Sequence, residues 1–288
     1  MCLKSVMRVL LMALCTIAAV QARSDEVCGF ELPARPDPEP LKKADFADIP
    51  RSNQQRQQWI RERWADKCDE LILLPVRVEG RLFSNLICRL EGQTEDTLLI
   101  TAHFDRAGSG EGVADNWTGI RLADRLLDWF TTHRPYRSVE LVALAGEEAG
   151  MQGSRAWVRE RFSSRYRVVM NLDTLGLDDL KIESNAPPLH CLATALADRH
   201  NIPLSGQHVR ALESDFDSFK RAGLPGIHLH SVGKRGKQLI HTSRDRVEAV
   251  DFRKLNQALL LAVHLGQTLS APQVAADEMA RQQPDARP

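Results

Sequence analysis

The spacing of hydrophobic and polar positions changes along the chain and predicts where its first helix and hairpin lie. A Ser-x-x-Gln capping pattern at Ser52 predicts the start of a helix. Apolar residues then recur at four-residue intervals, the spacing of one helical face: Ile60, Trp64 and Cys68. Two β-rich runs follow at 71–78 and 82–90, and the Glu79-Gly80 pair between them predicts a hairpin turn.

Beyond residue 96 the pattern alternates between short apolar runs and amphipathic stretches. It predicts strands at 97–102, 139–145, 167–172 and 226–229, and helices at 116–131, 153–162, 188–200, 214–222 and 252–269. This alternation is typical of an α/β fold, and we predict a three-layer α/β/α sandwich with a mixed, mostly parallel central sheet. The predicted catalytic domain spans 51–270. An extended, proline-rich arm at 23–50 precedes it, and a frayed tail at 271–288 follows it.

The first 22 residues are predicted to be a secretory signal peptide. Lys4 and Arg8 precede an apolar run, and Val20 and Ala22 stand at the two positions that a signal peptidase reads. The alternatives are a membrane anchor and a lipid attached at Cys15. The apolar run has about 12 residues, fewer than the roughly 20 that a span requires. We therefore expect a periplasmic or secreted protein that is not membrane-bound after cleavage.

Charge and composition narrow the class of partner. The chain has 38 basic and 38 acidic residues, so it lacks the positive surplus that binds a phosphate backbone, and we expect no nucleic-acid partner. The 43% of hydrophobic and 26% of charged residues are ordinary for a globular protein. The classes of protein that remain are an enzyme and a binding domain, each with a packed core.

Four cysteines remain after removal of the signal peptide, in a compartment expected to be oxidising: Cys28, Cys68, Cys88 and Cys191. They allow three pairings, and sequence does not choose among them. We favour a Cys28–Cys68 bridge because these residues flank the first predicted helix. In the alternative, all four are small buried hydrophobic residues. The chain has no Cys-x-x-Cys pair, which argues against a thiolate zinc site.

Acidic and histidine residues follow several predicted strands, where doubly wound folds bind their ligands. His103 and Asp105 end the strand at 97–102, and a glycine-rich loop joins them to Asp115. Glu147 and Glu148 follow the next strand. Taken singly, each has an ordinary explanation: Asp115 caps a helix, and the two glutamates form a solvated turn. A phosphate loop is a poor alternative, because the glycine-rich segment lacks the required spacing and lysine.

Two further positions complete the pattern, since Asp173 ends the strand at 167–172 and His241 lies in a loop before the last helix. Together the chain offers two imidazoles and three carboxylates with no thiolate. Such a set suits two zinc ions that share one carboxylate. Its members are His103, Asp115, Glu148, Asp173 and His241.

The motifs resemble those of the secreted co-catalytic zinc exopeptidases, such as bacterial leucyl aminopeptidase, aminopeptidase Y and glutamate carboxypeptidase. Glutaminyl cyclases are non-hydrolytic relatives. The resemblance runs from Leu99 to Asp245, through Ala-His-Phe-Asp, Ala-Asp-Asn-x-x-Gly, Gly-Glu-Glu-x-Gly, Asn-Leu-Asp-x-x-Gly, Ser-Asp-Phe-x-x-Phe-x-x-Ala-Gly-Leu-Pro and His-Thr-x-x-Asp.

The resemblance implies a role for each matching residue. Asp115 would bridge two zinc ions and precede a cis peptide bond to Asn116. Glu148 and His241 would complete one metal site, and His103 and Asp173 the other. Glu147 would be the general base, and Asp105 would orient His103.

The chain departs from the family pattern in two places. Phe216 stands where the family usually has histidine, and the tyrosine found before the Ser-Asp pair in some members is absent. Arg210, His228 and His230 are the candidates to stabilise the oxyanion. The two histidines alternate on a predicted strand, where ordinary packing explains them better. The oxyanion donor stays unassigned.

The function predicted from these residues is a zinc-dependent aminopeptidase that hydrolyses peptides. The alternatives are a single-zinc glutaminyl cyclase on the same fold and a non-catalytic binding domain. An intact set of ligands and base argues against the binding domain. The sequence does not determine side-chain preference, the direction of cleavage or the oligomeric state.

Overall fold

The computed structural model describes residues 26–32, 36–206 and 213–272. The predicted signal peptide, the candidate Arg210 and nearly all of the predicted tail lie outside these ranges.

Two antiparallel strands, β1 Glu26–Val27 and β2 Phe30–Glu31, form a small sheet in the arm. The described residues also form an eight-stranded sheet in the order β3-β4-β6-β5-β7-β10-β8-β9. Its strands are β3 Glu70–Val78, β4 Arg81–Leu90, β5 Thr94–His103, β6 Arg137–Leu144, β7 Tyr166–Asp173, β8 Leu180–Ser184, β9 Leu204–Gly206 and β10 Gly226–His230.

The centre of this sheet is parallel, and its flanks are mixed. Strands β6, β5, β7 and β10 are neighbours that run in the same direction. β4 is antiparallel to β3 and β6, and β8 is antiparallel to β10. Because parallel strands end at one edge, the residues that follow β5, β6 and β7 meet there.

Helices cover both faces of the sheet. They are α1 Asn53–Ala65, α2 Thr118–Thr132, α3 Gln152–Arg161, α4 Pro187–Arg199, α5 Asp215–Arg221, α6 Gly236–Leu239 and α7 Phe252–Ser270. Helices α2, α4 and α7 pack on one face, and α3 and α5 pack on the other. Each face of the sheet has its own hydrophobic core, the first under α2, α4 and α7 and the second under α3 and α5. Along β5, Leu98 and Ile100 join the first core and Leu99 joins the second, as strand alternation requires. The predicted α/β/α sandwich is confirmed.

The predicted elements are present with small shifts. Ser52 accepts a hydrogen bond from the amide of Gln55, whose side chain accepts one from the amide of Ser52, so the capping box opens α1 as predicted. Helix α2 begins two residues later than predicted, at Thr118, because a wide turn at Val113–Trp117 precedes it. Strands β8 and β9 were not predicted, since such short segments show little alternation. None of the described helices is long and apolar enough to cross a membrane.

The described part of the arm packs against the domain. Three of its side chains are buried: Phe30, Leu41 and Phe46. The backbone amide of Leu41 donates to Asn256 on α7 over 2.7 Å, and its carbonyl accepts from the same side chain over 2.9 Å. A 3₁₀ helix at Lys43–Phe46 then leads toward α1. The arm therefore contributes to the core, although it has little regular structure.

The predicted Cys28–Cys68 bridge is wrong. The disulfides join Cys28 to Cys191 and Cys68 to Cys88. Cys68 precedes β3, whose residue Leu71 lies opposite Cys88 in the β3–β4 register, so the hairpin brings these two cysteines together. Cys28, in the turn between β1 and β2, instead lies against helix α4, which carries Cys191.

The bridge between Cys28 and Cys191 is expected to stabilise the domain measurably, because it closes a loop with a sequence separation of 163 residues. Replacing both cysteines by serine should lower the free energy of unfolding by about 2 to 4 kcal/mol, chiefly through the greater entropy of the unfolded chain. Urea unfolding of the oxidised proteins measures the difference. Each single variant should lose about as much as the double variant, and a loss below about 0.5 kcal/mol would contradict the prediction.

Candidate metal centre

The five predicted ligands lie close together at the carboxyl edge of the parallel strands. His103 ends β5, and its Nε2 lies 3.3 Å from Oδ1 of Asp115 and 3.4 Å from Oδ1 of Asp173, the last residue of β7. His241 approaches from the loop after α6. Its Nε2 lies 3.0 Å from Oδ2 of Asp115 and 3.1 Å from Oε2 of Glu148. Residues separated by up to 138 positions in the chain (241 − 103) thus form one site.

These residues divide into two clusters of possible donor atoms. The His103 cluster contains His103, Glu147 and Asp173, and the His241 cluster contains Asp115, Glu148 and His241. Within each cluster the donor atoms lie within 4.8 Å of one another. Asp115 connects the two clusters, since its two carboxylate oxygens face different histidines. Glu147, the predicted base, lies beside the predicted ligands of the first cluster.

Asp105 holds the turn that carries both glutamates. Its Oδ1 accepts hydrogen bonds from the amides of Gly146 at 2.9 Å and Glu147 at 3.1 Å, and its Oδ2 accepts one from Glu148 at 3.1 Å. Nδ1 of His103 lies 3.2 Å from the main-chain oxygen of Asp105 and 3.6 Å from its carboxylate. Asp105 therefore contacts His103 mainly through its carbonyl, while its carboxylate positions the neighbouring turn.

A second buried carboxylate, Asp245, holds the loop that carries Asp115. Its Oδ1 accepts from the amides of Val113 and Ala114, and its Oδ2 accepts from the amide of Asp115. The peptide bond between Asp115 and Asn116 is cis, as the resemblance implied. These three hydrogen bonds fix the backbone from which the shared carboxylate projects.

Arg56 is a supporting residue that the sequence reasoning missed. It is fully buried in α1, on the same face as Ile60 and Trp64. Its guanidinium donates to the carbonyl oxygens of Phe104, Glu111 and Gly112 at 2.6 to 3.0 Å. The sequence held a signal for this burial: position 56 stands four residues before Ile60, on the helix face that is otherwise apolar, but carries a charged residue. Burial lowers the pKa of Arg56 to about 10, so it stays a cation at neutral pH.

The clusters hold more buried negative charge than the histidines balance. Burial, reinforced by Asp173 and Asp215 against the opposing charge of His103, raises the pKa of Glu147 to about 10. Burial and the neighbouring Asp115 raise the pKa of Glu148 to about 7. The hydrogen bond to Asp115 raises the pKa of His241 to about 9. Such mutual repulsion is relieved when a cation binds.

The donor set and its spacing fit zinc. Every donor is an imidazole nitrogen or a carboxylate oxygen, both of which zinc accepts. Two ligand atoms around tetrahedral zinc lie roughly 3.3 Å apart, from bond lengths of about 2.0 to 2.1 Å. The four short contacts within and between the two clusters span 3.0 to 3.4 Å. The side chains therefore stand at separations that zinc coordination requires.

A cavity of about 260 Å³ opens over the clusters, close to the lower end of small-ligand sites. Its walls include the apolar side chains of Met151, Val232 and Ile240. Among its described lining residues six are acidic and none is lysine or arginine. The acidic residues are Asp115, Glu147, Glu148, Asp173, Glu183 and Glu213.

His228 and His230 both line this cavity, whereas Phe216 does not. Nδ1 of His228 lies 3.4 Å from Oγ of Ser214, and its Nε2 lies 3.9 Å from Oδ2 of Asp173. Burial lowers the pKa of His228, and it lowers that of His230 to about 3, so both rings are neutral. Phe216 is buried in the second hydrophobic core. The position that usually holds histidine in the family is therefore occupied by a packed core residue in this chain.

Residues 85–265, which contain both clusters, match the sequence profile of Peptidase family M28. The chain belongs to this family. The vacuolar membrane protease of Schizosaccharomyces japonicus is 25% identical over 190 residues, which are 62% of this chain and 22% of that protein. The chain thus spans about a fifth of the length of the curated relatives it matches.

Solved structures share the fold at low sequence identity. A zinc aminopeptidase from Bacillus subtilis has a TM-score of 0.61 and 20% identity, over 67% of this chain and 51% of that chain. A glutaminyl cyclase from Bacteroides thetaiotaomicron has a TM-score of 0.66 and 14% identity, over 77% of this chain and 93% of that chain. Likeness at this level describes the fold and does not separate a peptidase from a cyclase.

Proposed function

We propose that this chain is a zinc-dependent aminopeptidase that binds two zinc ions and hydrolyses the first peptide bond of its substrate. The observation that carries the proposal is the shared carboxylate of Asp115, whose two oxygens face two different histidines. One carboxylate between two imidazoles is suited to two cations close together. Membership of the peptidase family supports hydrolysis as the reaction.

Each residue of the site then has a defined part. His103, Asp115 and Asp173 would hold one zinc ion, and Asp115, Glu148 and His241 the other. When bound, the ions supply Lewis acidity that polarises the scissile carbonyl and lowers the pKa of water. Glu147 removes a proton from the attacking water and delivers it to the leaving amine. Asp105 keeps Glu147 and Glu148 in place through their amides.

The charge of the cavity supports cleavage from the amino end. A carboxypeptidase requires a cation that pairs with the terminal carboxylate of its substrate, commonly arginine. The described cavity lining offers six acidic residues and three histidines, and no lysine or arginine. An acidic wall instead attracts a protonated α-amino group. Glu183 and Glu213 lie on this wall outside the two clusters, but each is paired with a cation: Glu183 with Lys220 over 2.7 Å and Glu213 with Arg221 over 3.4 Å. The support for the amino end therefore comes chiefly from the lack of a lysine or arginine among the described lining residues.

The two disulfides support a compartment outside the cytosol, because such bridges form and persist in oxidising surroundings. We propose that the protein acts in the periplasm or is secreted. Its partner would be a peptide with a free amino terminus, and nucleic acid would not be a partner.

The decisive experiment measures metal content and substrate direction together. After dialysis that removes weakly held metal, the purified chain should retain two zinc ions and release amino acids from aminoacyl anilides and unblocked peptides. It should leave N-acetylated peptides intact, because acetylation removes the charge that the acidic wall attracts. His103→Ala should lose one zinc ion and most of the hydrolytic activity. Activity follows from a colorimetric assay, and metal content from atomic emission.

The same measurements identify the alternatives. One zinc ion per chain, with cyclisation of peptides that begin with glutamine and no release of amino acids, would show a glutaminyl cyclase. Folded protein that binds peptide but converts none of these substrates would show a binding domain. Release of residues from the carboxyl end would reverse the proposed direction.

A further inference from the structure

A third group of donor atoms lies where the arm meets α4 and α7, among residues that do not line the cavity described above. It contains Asp37 of the arm, His200 at the end of α4 and His264 of α7. One donor atom from each residue lies within 4.8 Å of the others. Nε2 of His264 lies 3.3 Å from Oδ1 of Asp37. Three separate segments of the chain thus direct nitrogen and oxygen donors to one place.

The two imidazole rings lie face to face. The rings of His200 and His264 are stacked, with centroids 4.1 Å apart and planes inclined by 25°. Two imidazoles bound to one tetrahedral zinc ion have centroids roughly 5.2 Å apart, and the ion lies in the plane of each ring, given metal–nitrogen distances of about 2.0 to 2.1 Å. His200, which is only partly buried, therefore has to turn out of the stack before both rings bind one ion.

The surroundings include a favourable dipole and an opposing charge. His200 is the C-cap of α4, a helix of 13 residues, whose terminal carbonyl groups carry partial negative charge. Arg199 is exposed and places a positive charge near His264. A cation at this position gains from the helix end but is repelled by Arg199. We expect it to bind more weakly than ions at the two acidic clusters.

We propose that Asp37, His200 and His264 form a separate site for a divalent transition metal ion, with zinc as the ion that suits two imidazoles and one carboxylate. Three protein ligands leave a fourth position for water. The bound ion would fasten the arm to α7 and to the carboxyl end of α4, whereas the disulfide joins Cys28 to the first half of α4. This proposal is independent of the peptidase reaction.

Equilibrium dialysis of the full chain against graded zinc concentrations tests the site. The variants are Asp37→Asn and His200→Gln. His190→Gln is the matched control, because His190 is an exposed histidine of the same helix outside the group. The unmodified chain and the control should bind one zinc ion more than either variant. Added zinc, after the tighter sites are filled, should raise their melting temperature by about 2 °C or more, and it should not raise that of the variants.

Equal zinc content in all four proteins would overturn the proposal, and so would equal thermal shifts. If His200→Gln fails to fold, Asp37→Asn carries the test alone, since the side chain of Asp37 is 69% exposed and its replacement disturbs no packing. Circular dichroism of the chelated proteins confirms that the variants are folded. Magnesium in place of zinc should give no shift, because it prefers oxygen ligands and retains its water.

Discussion

Glu147→Gln is expected to lower kcat by a factor of about 100 or more, the scale for removal of a general base. Glutamine keeps the size of the side chain and its place in the turn held by Asp105, but it does not accept a proton from water. The zinc content should stay at two ions, because the proposed ligands in both clusters are unchanged. Steady-state kinetics and atomic emission on the same preparation measure both quantities.

Glu148→Gln is the matched comparison, since it makes the same change one residue along the same turn. Glu148 lies 3.1 Å from His241 in the second cluster, so its substitution should weaken zinc binding at that cluster. Glu147→Gln and Glu148→Gln should therefore separate proton transfer from metal binding. If Glu147→Gln retains half of the activity, or loses a zinc ion, Glu147 is not the base that we propose.

Arg56→Met is expected to lower the free energy of unfolding by roughly 2 to 6 kcal/mol. The substitution leaves the carbonyl oxygens of Phe104, Glu111 and Gly112 without their donor. The contacts to Phe104 and Gly112 are buried, and each buried unpaired group costs about 1 to 3 kcal/mol. The same segment leads to Asp115, so zinc affinity should fall at both clusters. Urea unfolding of the metal-free protein isolates the effect on the fold, and zinc titration measures the effect on the site.

Two further variants of α1 make this prediction specific. Arg61→Met makes the same replacement at an exposed position and should change stability by less than about 0.5 kcal/mol. Arg56→Lys keeps the positive charge but loses the forked geometry that reaches several carbonyls at once, so it should recover only part of the loss. If Arg56→Met is as stable as Arg61→Met, the guanidinium does not support the loop.

The site could be found from the sequence because its residues stand at the ends of strongly patterned strands. His103 and Asp173 close apolar runs, and Glu147 and Glu148 follow another. Because the four central strands are parallel, their carboxyl ends share one edge of the sheet. The order and direction of the strands therefore bring these site residues together. The roles of the individual residues stay predictions, which the variants above test.

The supporting interactions were harder to anticipate. Asp245 resembles any loop aspartate in sequence, but in the structure it accepts three amide hydrogen bonds from the loop before α2. The carboxylate of Asp105, expected to orient a histidine, mainly holds the glutamate turn. Such contacts depend on how loops from different strands approach one another, and local hydrophobic spacing carries no information about that approach.

By itself, the sequence determined the local structure and the class of the fold. Alternating and four-residue apolar spacings reflect which side of an element is buried, and this property is encoded within a few turns of chain. Only the tertiary structure decided the pairing of the cysteines, the packing of the arm and the burial of Arg56. Cys28 and Cys191 meet across 163 residues because the arm lies against α4. Their contact depends on the order of strands and the packing of helices, which no local pattern specifies.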